Sequence, residues 1–232
     1  MRAAVSVVIP TWNAAEGLAR SLPSLMEGLQ AGVIRELIVS DAGSEDQTLQ
    51  IAEEVGARVV RGAPSRGGQL RRGADAATGD WVLFLHADTE LPEGWSDAVA
   101  AHLEMHPASA AYFKLSFSER SLGARWTAGW ANLRSRLFGL PYGDQALLIS
   151  RALYYQIGGY PDQPLMEDVA IARALNGQLR AMPLSVRTSG AKYVQTGWLR
   201  RGRRNLWLLL RYLCGADPHV LAQDYQRSGR RS

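Results

Sequence analysis

Four short stretches place polar side chains where an apolar run ends. In LFLHADTELP, His86 and Asp88 close the run 81–85 and stand two positions apart, so an extended backbone points both to one side. Carboxylate oxygen suits hard cations such as Mg2+ or Mn2+, which bridge one or two protein carboxylates to substrate phosphates, and Asp88 is the candidate ligand. His86 is either a hydrogen-bonded orienting residue or a second ligand, a role Mn2+ tolerates more readily than Mg2+. Asp41 opens SDAGSEDQT at a strand end. Ser44 or Asp46 can cap the helix that follows, which leaves Asp41 to accept hydrogen bonds from a base or ribose. In RGGQLRRG, Arg66, Arg71 and Arg72 beside Gly67 and Gly68 offer cations on a flexible backbone, suited to a diphosphate. Glu167 and Asp168 begin a helix in PLMEDVAIARAL, where acids complement the helix dipole and are also available for proton transfer.

These groups need elements that bring them together, and the first half of the chain supplies them. Strands are predicted at 5–9, 36–40, 57–61 and 81–85, each apolar and β-branched. Between them lie a helix carrying Leu18, Leu22, Leu25, Met26 and Leu29, a second carrying Leu49, Ile51, Ala52 and Val55, and a third ending near Thr78-Gly79. Apolar strands alternating with helices indicate βαβ units and a mostly parallel sheet covered on both faces, with ligands outside the carboxyl ends of the strands. Thr11, Asn13, Asp41, Arg66, His86 and Asp88 are therefore expected along one rim. Further on, 110–117 and QALLIS read as strands, WTAGWANLRSRLFGL as a helix with aromatic anchors, and the last forty residues as amphipathic helices.

A chain of 232 residues buries a sizeable core without staples. The single cysteine, Cys214, excludes an internal disulfide framework and a cysteine zinc site, and is expected to be a buried small residue in a reducing compartment. The first apolar run is too short and too soon polar for a secretory signal, and 206–214, interrupted by Arg211, is far short of a bilayer span. The net charge of +4 is concentrated late, at Arg200, Arg201, Arg203 and Arg204 and at Arg227, Arg230 and Arg231, so anions or an anionic surface are the partners it favours.

In order along the chain, SVVIPTWNAAEGL, SDAGSEDQT, AATGDWVLFLHADTELP and GGYPDQPLMEDVAIARAL resemble the successive motifs of family 2 glycosyltransferases of the GT-A fold. LPYGDQALLISRALYYQIGGYP, with His86-Ala87-Asp88 where Asp-x-Asp is usual, further resembles a small single-domain subgroup, some of whose members are linked to arsenosugar biosynthesis. The likeness spans nearly residues 4–215. It implies an α/β, Rossmann-like, mostly parallel sheet flanked by helices over residues 1–199, with a basic, helical C-terminal extension over 200–232.

The implied activity is inverting transfer of a sugar from a nucleoside-diphosphate sugar, UDP-sugar favoured, to a small-molecule or lipid acceptor. Pro10, Thr11, Asn13 and Glu16 would contact the nucleotide, with Trp12 stacking near the base. Asp41 would hold the base or ribose; Arg66, Arg71 and His86 would lie by the diphosphate. Asp88 would bind a divalent metal, Mn2+ or Mg2+. Asp168 would be the general base, oriented by Glu167, and Asp144 and Gln145 would lie on the acceptor side. Lys192 would supply late positive charge. The expected location is cytoplasmic, peripheral at the inner face of a membrane where the C-terminal helices touch lipid or pair as a homodimer; no nucleic-acid partner is expected. The alternatives are a nucleotide-sugar-binding protein with a degenerate site, or a GT-A-like nucleotidyltransferase, which needs a Gly-rich, basic loop after its first strand that PTWNAAEG does not provide.

Overall fold

The computed structural model describes residues 3–229; Arg230 and Arg231 lie outside them, as does the side chain of Lys192. The strands β1 (Val5–Thr11), β2 (Ile34–Asp41), β3 (Arg58–Arg61) and β4 (Trp81–Phe84) form the parallel half of one sheet, in register through pairs such as Ile9 with Val39 and Val7 with Leu83. The second half adds β5 (Thr89–Glu90), β6 (Ala110–Phe117), β7 (Leu147–Ser150) and β8 (Leu179–Thr188), giving the order β3-β2-β1-β4-β7-β6-β8-β5. β7 and β5 run antiparallel to their neighbours, so the sheet is mixed but mostly parallel. After β3 the chain crosses back over β1 to lay down β4, so the crevice of this sheet opens beyond Thr11 and residues 85–88.

Helices cover both faces. Val5, Val7, Ile9, Leu83 and Leu148 pack one way, and Val8, Ile38, Val82, Phe84 and Ile149 the other, which is why these strands read as unbroken apolar runs. The helix expected after β1 is broken: α1 (Ala15–Ser21) passes into a 3-10 turn at Leu22–Leu25, with Pro23 early in it, and then α2 (Met26–Gln30). α3 (Thr48–Glu54), α4 (Arg66–Ala76) and α5 (Trp95–Met105) complete the first half. β8 has no counterpart in the sequence reading. Only Met182, Val186 and Thr188 of its ten residues are buried, and Pro183 falls where its register with β6 slips, so no apolar alternation marks it.

The long helix α6 (Leu122–Phe138) lies where it was expected, with the opposite face inward. Its buried residues are Ala124, Thr127, Ala128, Ala131 and Ser135, small side chains that let it sit close on β6, together with Arg134, while the supposed anchors Trp126 and Trp130 are 61% and 43% exposed. α7 (Arg151–Gln156) and α8 (Glu167–Leu175) precede β8, and α9 (Ala191–Thr196), α10 (Trp198–Leu213) and α11 (Pro218–Gly229) follow it. Leu208, Leu209 and Leu221 join Leu140, Met166, Val169 and Ala172 in a third core, so the C-terminal helices rest on α8. Cys214 is exposed rather than buried, because it caps the solvent end of α10.

Candidate active site

The rim is built first from the ends of β1 and β2. Gln69, buried in α4, donates to the Thr11 carbonyl (2.8 Å) and the Ser40 carbonyl (3.1 Å), pinning the two strand ends together. Asp41 is wholly buried and accepts from Thr11 Oγ1, Ser44 Oγ, Gly43 N and Ser44 N at 2.6–2.9 Å. A carboxylate has about four lone-pair sites, so the Asp41 side chain is spent on its own turn rather than left for a base or ribose. Burial would raise its pKa, but the hydrogen bonds from Ser44, Thr11 and Gly43 hold it below the usual carboxylate value. Asn13, in the left-handed region (φ 47°), continues the lattice: it accepts from Glu45 N and its own N–H reaches Ser44 Oγ, both at 2.8 Å. Asp46 and Thr48 take the N–H groups of Ala15 and Ala14, capping α1 from outside. Pro10 is half-buried in β1, Trp12 points outward, and Glu16 is an exposed partner of Arg20 at 3.7 Å.

A second group gathers across the crevice. Arg66 pairs through Nε with Glu167 Oε1 (3.0 Å) and places its Nη2 2.8 and 3.1 Å from the two ring nitrogens of His86. It thereby joins the loop after β4 to the start of α8. Gly143 lies so close that a Cβ there would stand 2.4 Å from His86 Nε2, and its N–H donates to Asp168 Oδ2 (3.1 Å). Met166 adopts a left-handed φ of 64° to turn Glu167 and Asp168 inward. Of the four described non-glycine residues with positive φ, Asn13, Ala146 and Met166 border this crevice, the kind of backbone strain that accumulates at working sites. Glu167 is 3% exposed, and burial, with Asp168 adding and Arg66 opposing, pushes its pKa up to about 7. Asp88 is half-buried, and among the described residues its carboxylate accepts no hydrogen bond.

Beyond Gly143 lies a cleft between α6 and α10, lined by Thr127, Arg134, Tyr142, Asp144, Tyr193 and Leu206 among others. Arg134 donates through Nε to the Leu140 carbonyl and lies flat on Tyr142, its guanidinium carbon 3.4 Å from the ring centre, yet its Nη2 has no partner. Thr127 Oγ1 and Asp144 Oδ1 are likewise buried and unpaired. Burial drives Asp144 up to about 6, with Arg134 opposing and Asp168 adding. Uncompensated polar atoms of this kind cost stability unless a ligand or water meets them.

The structure thus gathers His86, Asp88, Arg66, Glu167, Asp168 and Asp144, and sets Thr11, Asn13 and Asp41 along the facing edge. Two expected residues do not join them. Arg71 is exposed farther along α4, where its charge bears on Tyr154 and not on the rim carboxylates. Gln145 is fully buried and committed: Oε1 accepts from Ser135 Oγ (2.6 Å) and Tyr142 N (3.3 Å), and Nε2 donates to the Phe113 carbonyl (3.1 Å). Gly67 and Gly68 form no flexible loop. They lie in the first turn of α4, where a Cβ would strike the Pro161 carbonyl at 1.9 Å and Asp162 Oδ1 at 2.6 Å, so they serve the approach of the 161–163 loop. Arg72 donates to the Ala63 carbonyl. Sequence reasoning missed Arg134, because an arginine in a helix reads as solvated; the Ala124, Thr127, Ala131, Arg134 spacing that puts it on a small-residue face was the available signal.

Among the described residues no cluster of three His, Cys, Asp or Glu forms an all-protein metal cage. Asp88, with an uncommitted carboxylate beside the orphaned Asp144, fits instead an ion held by one or two protein oxygens and by a diphosphate.

Residues 6–158 match the sequence model of Glycosyl transferase family 2. The chain is 36% identical over 164 residues to the PGL/p-HBAD biosynthesis glycosyltransferase of Mycobacterium bovis, covering 67% of this chain and 62% of that protein, so it spans less than two thirds of this relative's length. It is 38% identical over 98 residues to the glucosyl-3-phosphoglycerate synthase of Mycolicibacterium smegmatis, which covers 38% of this chain and 32% of that one. Among solved structures, S. aureus TarS 1-349 in complex with UDP superposes with a TM-score of 0.63 at 18% identity, over 82% of this chain and 60% of that chain. The Mycobacterium tuberculosis glucosyl-3-phosphoglycerate synthase, in complex with Mn2+, UDP and glucosyl-3-phosphoglycerate, gives 0.55 at 21% identity, over 80% and 70%. The shared fold is GT-A.

Proposed function

The chain belongs to glycosyl transferase family 2, and on that footing we propose that it moves a sugar from a nucleoside-diphosphate sugar to an acceptor hydroxyl in one inverting displacement. The observation that carries this reading is the Arg66 bridge. A cation suited to a diphosphate is tied at once to His86, beside Asp88, and to Glu167, next to Asp168. The donor's leaving group and the acceptor's base are thereby held within one crevice.

Each residue then has a task. Arg66, with Nε and Nη2 engaged, turns its remaining N–H groups to phosphate oxygens. His86 fixes that guanidinium and orients the site. Asp41, with Asn13 and Thr11, holds the turn against which the base rests, and Trp12 offers it a face; Pro10 and Glu16 flank the nucleotide. Asp168, kept in place by the Gly143 N–H, removes the acceptor proton as the new bond forms. Glu167 anchors Arg66 and sets the inward turn of α8. Asp88 would hold a divalent ion, Mn2+ or Mg2+, whose chemistry when bound would be to neutralise charge on the nucleoside-diphosphate leaving group. UDP is the favoured donor nucleotide, since the TarS and glucosyl-3-phosphoglycerate synthase structures are complexes with UDP. Aromatic and aliphatic walls with three unpaired polar atoms make the α6–α10 cleft an acceptor site for a hydroxyl on a partly apolar body, a small molecule or a lipid. His86 in place of a first carboxylate fits the small His-Ala-Asp subgroup.

The test is thermal shift of wild type and Asp88→Ala against UDP, GDP, TDP, CDP and their sugars, each with Mn2+, Mg2+ or EDTA, followed by donor hydrolysis. A metal-dependent rise with one nucleotide, lost in the variant, together with hydrolysis that needs Asp168, supports the enzyme reading. Binding without hydrolysis marks a degenerate binding protein; no shift with any nucleotide rejects both.

A further inference from the structure

Exposed large apolar side chains line α6 as well as the C-terminal helices. Leu122, Trp126, Trp130, Leu133 and Leu137 are each 43–81% exposed. At about 100° per residue they fall within roughly 80° of arc, a continuous row along the whole helix. On α10, Leu199, Leu206, Leu210 and Leu213 are exposed on one side in the same manner. The two helices run side by side in the same direction. Gly123 packs under Trp198 near both N-termini, while Trp130 and Arg134 share the cleft with Leu206 and Leu209 farther on. Trp130 and Leu206 belong both to the rows and to the cleft, so the two rows flank its mouth and form one face.

The charge around this face is of one sign. α6 contains three arginines and α10 five, and neither contains an acid. Arg125 and Arg136 border the α6 row and Arg200 and Arg203 the α10 row, all exposed. Arg201 and Arg204 turn inward instead, over Tyr193 and Tyr225. Soluble surfaces rarely carry so extended an apolar patch without a partner. A second copy of the chain, related by a two-fold axis, would set arginine rows against like rows; an anionic bilayer brings the complementary charge, and the interface is where tryptophan sits best.

We propose that the joined faces of α6 and α10 dock this protein on anionic lipid, with the helices lying in the plane of the surface. Among the described residues no helix is long and apolar enough to cross a membrane, so contact of this face is peripheral. The inference stands on exposure and charge and does not depend on the sugar-transfer reading.

Flotation of the full chain with phosphatidylcholine vesicles, with and without phosphatidylglycerol, tests it. Wild type is expected to float with the anionic vesicles, several-fold less at high salt, and to remain behind with neutral ones. Leu122→Glu/Trp126→Glu/Leu137→Glu, whose residues line neither crevice nor cleft, is expected to lose flotation while its melting temperature and UDP-induced shift stay those of wild type. Wild type that never floats, or a folded triple variant that floats equally well, overturns the proposal. So does a dimer in sedimentation that the same triple variant dissociates without any vesicle binding. Should the triple variant not fold, Arg200→Glu/Arg203→Glu, which leaves the apolar rows intact, is expected to halve flotation or more, and an unchanged yield rejects the electrostatic half of the argument.

Discussion

The two walls of the crevice treat polar groups in opposite ways. On the β1–β2 side most polar atoms are answered from within the chain, Ser40 Oγ excepted: Asp41 accepts four hydrogen bonds, and Asn13, Asp46 and Thr48 lock the following turns together. On the α6–α8 side Arg134 Nη2, Thr127 Oγ1 and Asp144 Oδ1 are buried without partners, and burial raises the pKa of both Glu167 and Asp144. A wall that answers its own groups is rigid and stable but offers a ligand mainly shape and backbone. The wall that leaves them open gives up stability and keeps charges and protons ready for a substrate.

That contrast breaks most visibly at Asp168. If the open wall performs the chemistry, Asp168→Asn keeps the fold and the donor-induced thermal shift but lowers transfer or hydrolysis roughly a thousandfold; a loss of under about tenfold would move the base elsewhere. Stability should divide the walls in the other direction. Asp41→Ala leaves the four donors it served without an acceptor and is expected to cost about 2–4 kcal/mol in denaturant unfolding. Asp144→Asn, by removing a carboxyl that burial already disfavours, is expected to be neutral or stabilising. Equal losses at both positions would show that the open wall is no less self-satisfied than the closed one.

The closed wall was also the legible one. Strands buried on both faces read as continuous apolar runs, so β1 and β2 and the polar residues after them could be placed from sequence, and Asp41 stands where it was expected; across the crevice the same signal at β4 placed His86 and Asp88. What the pattern could not show is how a side chain spends its lone pairs: Asp41 on its own turn, and Gln145 on Ser135 Oγ, Tyr142 N and the Phe113 carbonyl. The open wall resisted reading for other reasons. β8 hides behind Pro183 and its arginines. α6 buries alanines and exposes tryptophans because close approach to β6 is worth more there than aromatic burial, and that inversion concealed Arg134. Gly67 and Gly68 looked like a flexible phosphate loop because close packing and flexibility call on the same residue.

The walls should also answer pH with opposite signs. Glu167 and Asp144 are raised from 4.5 to about 7 and from 3.8 to about 6, so between those limits the folded chain binds more protons than the unfolded one and stability falls as pH rises. Asp41 and Asp46 are lowered by the hydrogen bonds they accept, so they contribute stability that is lost as pH drops below the ordinary carboxylate range. Wild type is expected to lose a few degrees of melting temperature from pH 4.5 to 7 through the open wall, and Asp144→Asn to flatten the lower part of that decline, up to about pH 6. A variant whose profile parallels wild type across pH 4–6 would detach Asp144 from it.

The smallest expected effect is the sharpest check on which cations belong to the crevice. Arg66 and Arg71 lie five residues apart on α4, and from sequence both are suited to a diphosphate. In the fold only Arg66 meets Glu167 and His86, while Arg71 faces outward near Tyr154. Arg66→Ala is therefore expected to weaken nucleotide binding by titration about tenfold or more and also to strand the buried Glu167, so its melting temperature falls with its affinity. Arg71→Ala is expected to leave affinity within about twofold, the difference one solvent-screened charge at a distance can make. A comparable loss at Arg71 would mean that α4 turns as the donor binds and that the hydrogen bonds of the closed wall do not hold α4 fixed.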